Sequence, residues 1–127
     1  VSVGRERWTG AVNTIGDPIP LSETLSLARG VAGHTGDVVR APDDWLLERD
    51  VQHWAGPRSL PLWLPPDMIG FASRSNAAYR LLGGGLLPLR VTLERTLADA
   101  RERGLGRDRA TGLTRAEELD LIAELVP

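Results

Sequence analysis

The sequence predicts an α+β fold, a mainly helical small domain with two or three short strands. The chain has 127 residues, which is typical of one domain, so we expect residues 1–127 to form a single domain. Its 42% hydrophobic and 25% charged residues are typical of a globular protein. Apolar residues recur at helical spacing in several stretches, whereas runs of β-branched residues are short.

The N-terminal part predicts a helix between two short strands. Residues 10–15 combine β-branched and small residues and stop at a glycine, which is typical of a strand. Ser22 is a suitable N-cap for a helix that ends near Ala32. A glycine-containing turn then leads to a second predicted strand, Val38–Arg40. The helix should bury one apolar stripe, formed by Leu21, Leu25, Ala28 and Ala32.

The middle of the chain predicts one short helix and then an irregular apolar segment. Pro42 precedes two aspartates whose charge suits the first turn of a helix, and the helical pattern ends near Val51. From Gln52 to Gly70 tryptophan, leucine and proline dominate, and the prolines interrupt regular structure. A segment of this length without structure of its own is often functional or part of an interface.

Three helices are predicted in the C-terminal part. The first covers Ser73–Leu82 and stops at a run of three glycines, and the second covers about Leu89–Arg103 with leucines at i, i+4 and i+8. The third is a tail helix over about 113–126, where Thr114 and Glu117 have the spacing of a capping box. Its predicted apolar face consists of Leu119, Ile122, Leu125 and Val126.

The composition excludes several kinds of chemistry. The chain has no cysteine, which rules out disulfides, thiol catalysis and thiolate metal ligands. All fifteen basic residues are arginines, so Schiff-base chemistry and a P-loop lysine are also ruled out within this chain. His34 and His53 are too few for most metal sites, and we predict no metal.

Charge and hydropathy limit the expected partners and location. Fifteen basic and seventeen acidic residues leave a net charge of −2, which does not favour nucleic acid. No stretch is long and apolar enough for a membrane span, and residues 1–7 lack the apolar core of a signal peptide. We therefore expect a cytoplasmic protein that binds neither nucleic acid nor membrane.

No catalytic, cofactor-binding or metal-binding residue can be assigned from a motif. Asp43 with Asp44, and Glu117 with Glu118, are adjacent on predicted helices, where neighbouring side chains point about 100° apart. Helix-start capping is therefore the preferred interpretation of both pairs. The run Gly83–Gly85 lies between two predicted helices, so it is interpreted as a helix stop and not as a phosphate-binding loop.

The best candidate for a site is the proline-rich segment Leu60–Pro66 with the residues just before it. Extended backbone carrying leucine and tryptophan can wall a small-molecule pocket or lie against another domain. Three interpretations stay open at this point: closure of the core, contact with another domain, and direct contact with a ligand. The candidate substrate-cleft or interface residues are His53, Trp54, Leu62, Trp63 and Leu64.

Several segments, taken in order, resemble the C-terminal part of extended short-chain dehydrogenases/reductases, the NAD-dependent epimerase/dehydratase family. Together these segments span about residues 8–103. Residues 60–65 are similar to a segment of reductase-like members. The other similar segments are Gly10-Ala-Val-Asn13-Thr-Ile-Gly16 (G-x-x-N-x-x-G) with the helix after it, Ser73 to Gly83 (S-x-x-A-x-x-L-G), and Leu87-Pro-Leu-Arg-Val-Thr-Leu-Glu94-Arg-Thr (P-L-x-x-T-L-x-x-T).

The resemblance implies the substrate-binding C-terminal part of a Rossmann-type reductase or epimerase that uses NAD or NADP. The parent enzyme would act on a hydroxyl or carbonyl substrate, nucleotide sugars among them. The family's Gly-rich nucleotide loop and Tyr-x-x-x-Lys pair have no counterpart here, because the lone Tyr79 is followed by Arg80-Leu-Leu-Gly83. The resemblance therefore implies that the cofactor belongs to a missing N-terminal domain, and that this chain alone is inactive.

Two alternatives come from another functional class. One is a non-catalytic regulatory or protein-interaction module related to the same family, and the other is a free-standing helical interaction domain. Without a cofactor domain to cover them, Leu62, Trp63 and Leu64 would form an exposed apolar patch. We therefore expect the isolated chain to form a dimer or higher oligomer through the region from Trp54 to Trp63.

Overall fold

The computed structural model describes residues 9–68 and 70–126. Within them lie five α-helices, two strands and a short 3-10 helix at Pro66–Met68, so the predicted α+β class is confirmed. Residues 1–7, whose composition opposes a signal peptide, lie outside the described part. The helices are α1 (Leu21–Ala32), α2 (Asp43–Leu47), α3 (Ala77–Leu81), α4 (Leu89–Arg103) and α5 (Arg115–Leu125).

The two strands lie within the segment that was predicted to be irregular. Strands β1 (Gln52–His53) and β2 (Ser59–Leu60) pair in parallel, with His53 opposite Leu60. Parallel strands usually need a crossover of about a dozen residues or more. Here residues 54–58 suffice because the chain turns sharply at three positive φ angles, 63° at Trp54, 92° at Gly56 and 50° at Arg58.

The strands predicted at 10–15 and Val38–Arg40 are wrong, because neither stretch has regular secondary structure. β-branched residues favour an extended backbone, but an extended backbone becomes a strand only when a neighbour pairs with it. Near the first stretch, the hydrogen bonds go to side chains instead. The amide of Asn76 donates to the Ile15 carbonyl at 3.0 Å.

Helix α1 begins one residue before the predicted cap. Pro20, not Ser22, is the N-cap, and its carbonyl accepts the N–H groups of Glu23 and Thr24 at 3.0 and 3.1 Å. Gly33 ends the helix in the left-handed conformation, as the glycine predicts. The predicted stripe is also wrong in part, since Leu21 and Leu25 are 42% and 47% exposed.

Helix α3 is shorter than predicted because the polar side chains before it bond locally. The Ser75 hydroxyl accepts the N–H of Ala77 at 3.2 Å. Serine and asparagine side chains that bond nearby groups in this way compete with helical hydrogen bonds. The helix therefore begins at Ala77 and not at Ser73.

Helices α4 and α5 lie where the sequence predicts them. Pro88 precedes α4, and its carbonyl accepts the N–H groups of Val91 and Thr92. At α5 the capping box is confirmed, because Thr114 Oγ1 accepts the Glu117 N–H at 3.2 Å and Glu117 Oε2 accepts the Thr114 N–H at 2.8 Å. Of the helices described, none has the length and apolar character to cross a membrane.

Two compact units divide the chain, so a single domain over 1–127 stays a prediction. The first unit comprises the described parts of 1–34 and 67–102, and the second comprises 35–66 with the described parts of 103–127. In the first unit α1 and α3 contain no buried residue, and neither does α4. Its apolar side chains are therefore only partly covered by the residues described.

The second unit has a small core. Leu46, Val51 and Leu121 are buried there, at 7%, 0% and 6% exposure. The buried residue of α5 is thus Leu121, and the predicted apolar face was wrong in part: Leu119 and Val126 are exposed, whereas Ile122 and Leu125 are half-buried. Partly buried residues that pack against this core are Ala41, Trp45, Leu60, Trp63 and Leu113.

Candidate functional site

The candidate site in the second unit is built around two stacked rings. The His53 imidazole and the Trp63 indole have centroids 3.9 Å apart and planes tilted by 34°. His53 is held by strand β1, and Trp63 follows β2 by three residues and packs against the core. Two of the predicted site residues are therefore brought into direct contact.

Each stacked ring has an exposed apolar neighbour in the chain. Trp54 follows His53 and is 44% exposed, while Leu62 precedes Trp63 and is 52% exposed. Both have a left-handed backbone, with φ of 63° and 72°, which costs of order 1 kcal/mol or more for a residue with a side chain. The fold therefore holds two apolar side chains toward solvent in a backbone conformation that is unfavourable for them.

His53 carries an unusual polar atom. Its Nε2 is buried and has no hydrogen-bond partner, the one such side-chain atom in the described part of the chain. Buried polar atoms are almost always paired, because losing water without a replacement partner costs free energy. This nitrogen is thus the part of the stacked pair that could still accept a partner.

Arg58, the charged residue of the segment 52–66, makes structural contacts within the second unit. Its Nε donates to the Arg49 carbonyl at 3.0 Å, and its Nη1 lies 3.2 Å from Glu117 Oε1. The backbone carbonyl of Arg58 accepts the Gln52 N–H at 2.8 Å. The guanidinium therefore links the loop between β1 and β2 to the turn after α2 and to α5, and its charge is paired with Glu117.

Ser59 makes a second tie. It is fully buried, donates its hydroxyl to the Gly56 carbonyl at 2.7 Å and accepts the Gly112 N–H at 3.2 Å. Gly112 also donates to the Gly56 carbonyl at 3.1 Å. Sequence analysis missed the roles of Ser59 and Arg58, since no local pattern pairs them with residues more than fifty positions away.

Glu117 shows the electrostatic effect of this arrangement. The hydrogen bond from the Thr114 backbone N–H, then that from the Thr114 hydroxyl, and then the Arg58 guanidinium lower the pKa of Glu117 below its ordinary value. The carboxylate therefore stays charged to a lower pH than an ordinary glutamate does. It caps the helix, as predicted, and does not serve as a proton donor near neutral pH.

The outcome for the five candidate residues is mixed. His53 and Trp63 contact each other, Trp54 and Leu62 are exposed and adjacent to them in the sequence, and Leu64 is half-buried. Trp63 thus supports the core-closure interpretation, whereas Trp54 and Leu62 leave contact with a ligand or partner open.

The glycine run does not fit a phosphate loop. The Gly83 N–H donates to the Arg80 carbonyl and the Gly84 N–H donates to the Tyr79 carbonyl, at 3.0 and 2.9 Å. The Tyr79 ring also lies directly against Gly84. Two of the three N–H groups are therefore used in ending α3, which agrees with the predicted helix stop.

A concave surface of about 670 Å³, separate from the His53–Trp63 pair, follows the connection from α4 to α5. Arg107, Arg109 and Arg115 line it, together with Asp108 and Glu118. Arg115 is paired with Glu118 at 2.6 Å, and the capping box occupies the start of α5. Across residues 9–68 and 70–126, no three histidine, aspartate or glutamate side chains group together as a metal site.

Comparison with protein-family models, with curated proteins and with solved structures found no match to this chain.

Proposed function

We propose that this chain is the substrate-binding C-terminal portion of an NAD(P)-dependent reductase or epimerase of the extended short-chain type. The observation that carries this proposal is a contact between two of the motifs on which the resemblance rests. The segment Asn13–Gly16 and the segment that begins at Ser73 are far apart in sequence, yet they are hydrogen-bonded side by side in the first unit.

The contact is made by amide side chains. Asn13 Nδ2 donates to the Ser75 carbonyl at 3.3 Å, and Asn76 Nδ2 donates to the Ile15 carbonyl at 3.0 Å. Asn76 Nδ2 also lies 2.9 Å from the carboxylate of Asp17. Asparagine suits such a position because it donates and accepts from one planar group. Asn13, the asparagine of the G-x-x-N-x-x-G motif, therefore has a structural role in this contact.

An ion pair strengthens the same contact. Arg80 Nη2 lies 2.5 Å from Asp17 Oδ2, and Arg80 Nε donates to Asn76 Oδ1 at 3.2 Å. The network is structural, and no catalytic role is assigned to it. Its polar motif residues hold the chain after Gly16 against α3.

In the proposed enzyme the two parts have different tasks. The nicotinamide cofactor, held by the missing N-terminal domain, would supply the hydride. This chain's residues Trp54, Leu62 and the His53–Trp63 pair would bind and orient the hydroxyl or carbonyl substrate. The glycine run of this chain does not fit the cofactor's phosphates, so no step is assigned to it.

The exposed apolar surface supports a partner for the first unit. Leu81 and Leu87 are 85% and 58% exposed, and α1, α3 and α4 bury no residue. A cofactor domain would cover such surface in the intact enzyme. In its absence we expect self-association, which sedimentation at tens of micromolar would detect. A clean monomer would contradict this expectation.

The experiment is to read the coding DNA upstream of Val1, in frame, far enough to cover one more domain. A strand, a Gly-rich loop and a helix followed by Tyr-x-x-x-Lys would support the proposal. Expression of the whole frame should then give oxidation of NADH or NADPH by carbonyl compounds. A Gly-rich loop without the Tyr-Lys pair would favour the regulatory module, and a start codon directly before Val1 would overturn both.

A further inference from the structure

The segment 52–66 has no unpaired charged side chain that could bind a charged ligand. Arg58 is the charged residue of this segment; its Nε donates to the Arg49 carbonyl, and its charge is paired with Glu117 through Nη1. Binding a diphosphate normally needs guanidinium or ammonium groups free to form two or more charge-assisted hydrogen bonds. The surface therefore suits an uncharged molecule.

The polar groups of the segment are almost all satisfied as well. The Ser59 hydroxyl both donates and accepts, and the Gln52 amide donates to the Asp50 carbonyl at 3.3 Å. His53 Nε2 is the exception, buried and without a partner. An uncharged ligand with one hydrogen-bonding oxygen would match this single unpaired group.

The segment also has apolar side chains that are accessible to solvent. Trp54 and Leu62 flank the stacked pair in the sequence and are both about half exposed. Trp63 is half-buried, and its ring centroid lies 3.9 Å from that of the imidazole. Because Nε2 is buried, a ligand has to displace part of its cover to reach it. An aromatic ring packs well against tryptophan and leucine side chains.

We propose that the site takes an uncharged aromatic or similarly apolar carbonyl or hydroxyl compound, and not a nucleotide sugar. Trp54 and Leu62 supply the apolar contacts, and His53 Nε2 forms the one hydrogen bond to the ligand oxygen. This inference rests on the proposed function and names the substrate class of the same site.

The test uses the 127-residue chain itself, at a concentration at which sedimentation shows a monomer, labelled so that the indole N–H signals of its tryptophans are resolved by NMR. The probes are acetophenone, ethylbenzene, which has the same ring without the carbonyl, and UDP-glucose. We expect acetophenone to shift the Trp54 and Trp63 signals with Trp45 unmoved, and UDP-glucose to shift none of them. Ethylbenzene should bind about tenfold more weakly, since it leaves the nitrogen unpaired.

A matched pair of variants tests the role of His53. His53→Phe keeps a ring against Trp63 and removes Nε2, so acetophenone affinity should fall about tenfold, to the level of ethylbenzene. His34→Phe changes the other histidine, which is exposed and lies in the first unit, and should leave the affinity unchanged. Thermal unfolding of each variant verifies that it is folded.

The outcomes separate the two proposals. Shifts of Trp54 and Trp63 with UDP-glucose alone would overturn the substrate class and leave the proposed function standing. Equal acetophenone affinity in His53→Phe would overturn the role of the nitrogen. No shift with any probe would overturn this inference, whereas the upstream reading frame decides the proposed function independently.

Discussion

Arg58 and Glu117, 59 positions apart, form an ion pair at 3.2 Å that joins the loop between β1 and β2 to the first turn of α5. Both side chains are about one-third exposed, at 35% and 31%. The same guanidinium bonds the Arg49 carbonyl, and Arg49 in turn pairs with Glu124 at 2.7 Å. Arg58, in the candidate segment, thus contacts the first turn of α5, and Arg49, just before that segment, contacts its last turn.

Arg58→Met should destabilise the chain by about 1–2 kcal/mol, because it removes two charge-assisted hydrogen bonds that are only partly screened by water. Arg115→Met is the control, since its pair with Glu118 joins two exposed residues one turn apart. The control should change stability by less than about 0.5 kcal/mol. Urea unfolding measures both losses. Equal losses would show that the Arg58 contacts stabilise the chain no more than an exposed ion pair does.

Acid should lower the free energy of unfolding through protonation of Glu117. The folded-state pKa of this carboxyl is lowered, so its contribution to stability is complete above its unfolded pKa, about 4.3, and is lost as the pH falls through the folded value. Glu117→Gln should therefore flatten the fall in stability below that pH. Unfolding measured over a series of acid buffers tests this, and an unchanged pH profile in the variant would contradict it.

Ser59→Ala should cost about 0.5–1.5 kcal/mol, because the Gly56 carbonyl and the Gly112 N–H each lose one of their two hydrogen bonds, while the bond between them remains. Ser73→Ala is a matched control, since Ser73 makes the same hydroxyl-to-glycine carbonyl bond, to Gly70 at 2.7 Å, but is exposed. Water can replace that bond, so the expected loss is below about 0.5 kcal/mol. Similar losses in the two variants would mean that burial of Ser59 does not matter.

Gly84→Ala should destabilise the first unit by about 1–3 kcal/mol, because the added methyl group would clash with the Tyr79 ring. At Gly85 the same methyl group would meet no atom within 4 Å, so Gly85→Ala is the control. The double variant Tyr79→Ala/Gly84→Ala should lose less than the sum of its two single changes. Additive losses would show that the clash is not the cause.

His53→Phe bears on stability as well as on binding. The variant removes a buried nitrogen that has no partner and keeps a ring against Trp63, so the unfolding midpoint should stay the same or rise. His53→Ala would lose the ring contact and should lower the midpoint. A large loss in the phenylalanine variant would indicate that Nε2 does have a partner in solution.

The helices that the sequence predicted well are those with strong local signals. Thr114 and Glu117 lie three residues apart and cap α5 through their own bonds, and Pro88 marks the start of α4. Gly33 and Gly83 stop helices because both adopt positive φ, 66° and 80°. Each of these features depends on neighbours a few positions away.

The strands were the weakest prediction. Residues 10–15 are of types that favour a strand, but no neighbouring segment among the described residues pairs with them. At β1 and β2, by contrast, two residues on each side of a sharp turn pair with each other. Around this turn Arg58 bonds Glu117 of α5, and Ser59 bonds Gly112, which precedes α5. No local pattern could have indicated those distant partners.

By itself the sequence determined the class of fold, the positions of α2, α4 and α5, the absence of thiol and lysine chemistry, and the segment around Trp54 and Trp63 as the candidate site. Only the tertiary structure decided which face of α5 is buried. Leu121 shares that face with Glu117 and Glu124, one turn to either side, which as a pattern looks solvent-exposed. Arg58 and Arg49 neutralise these two carboxylates, and this pairing lets Leu121 enter the core.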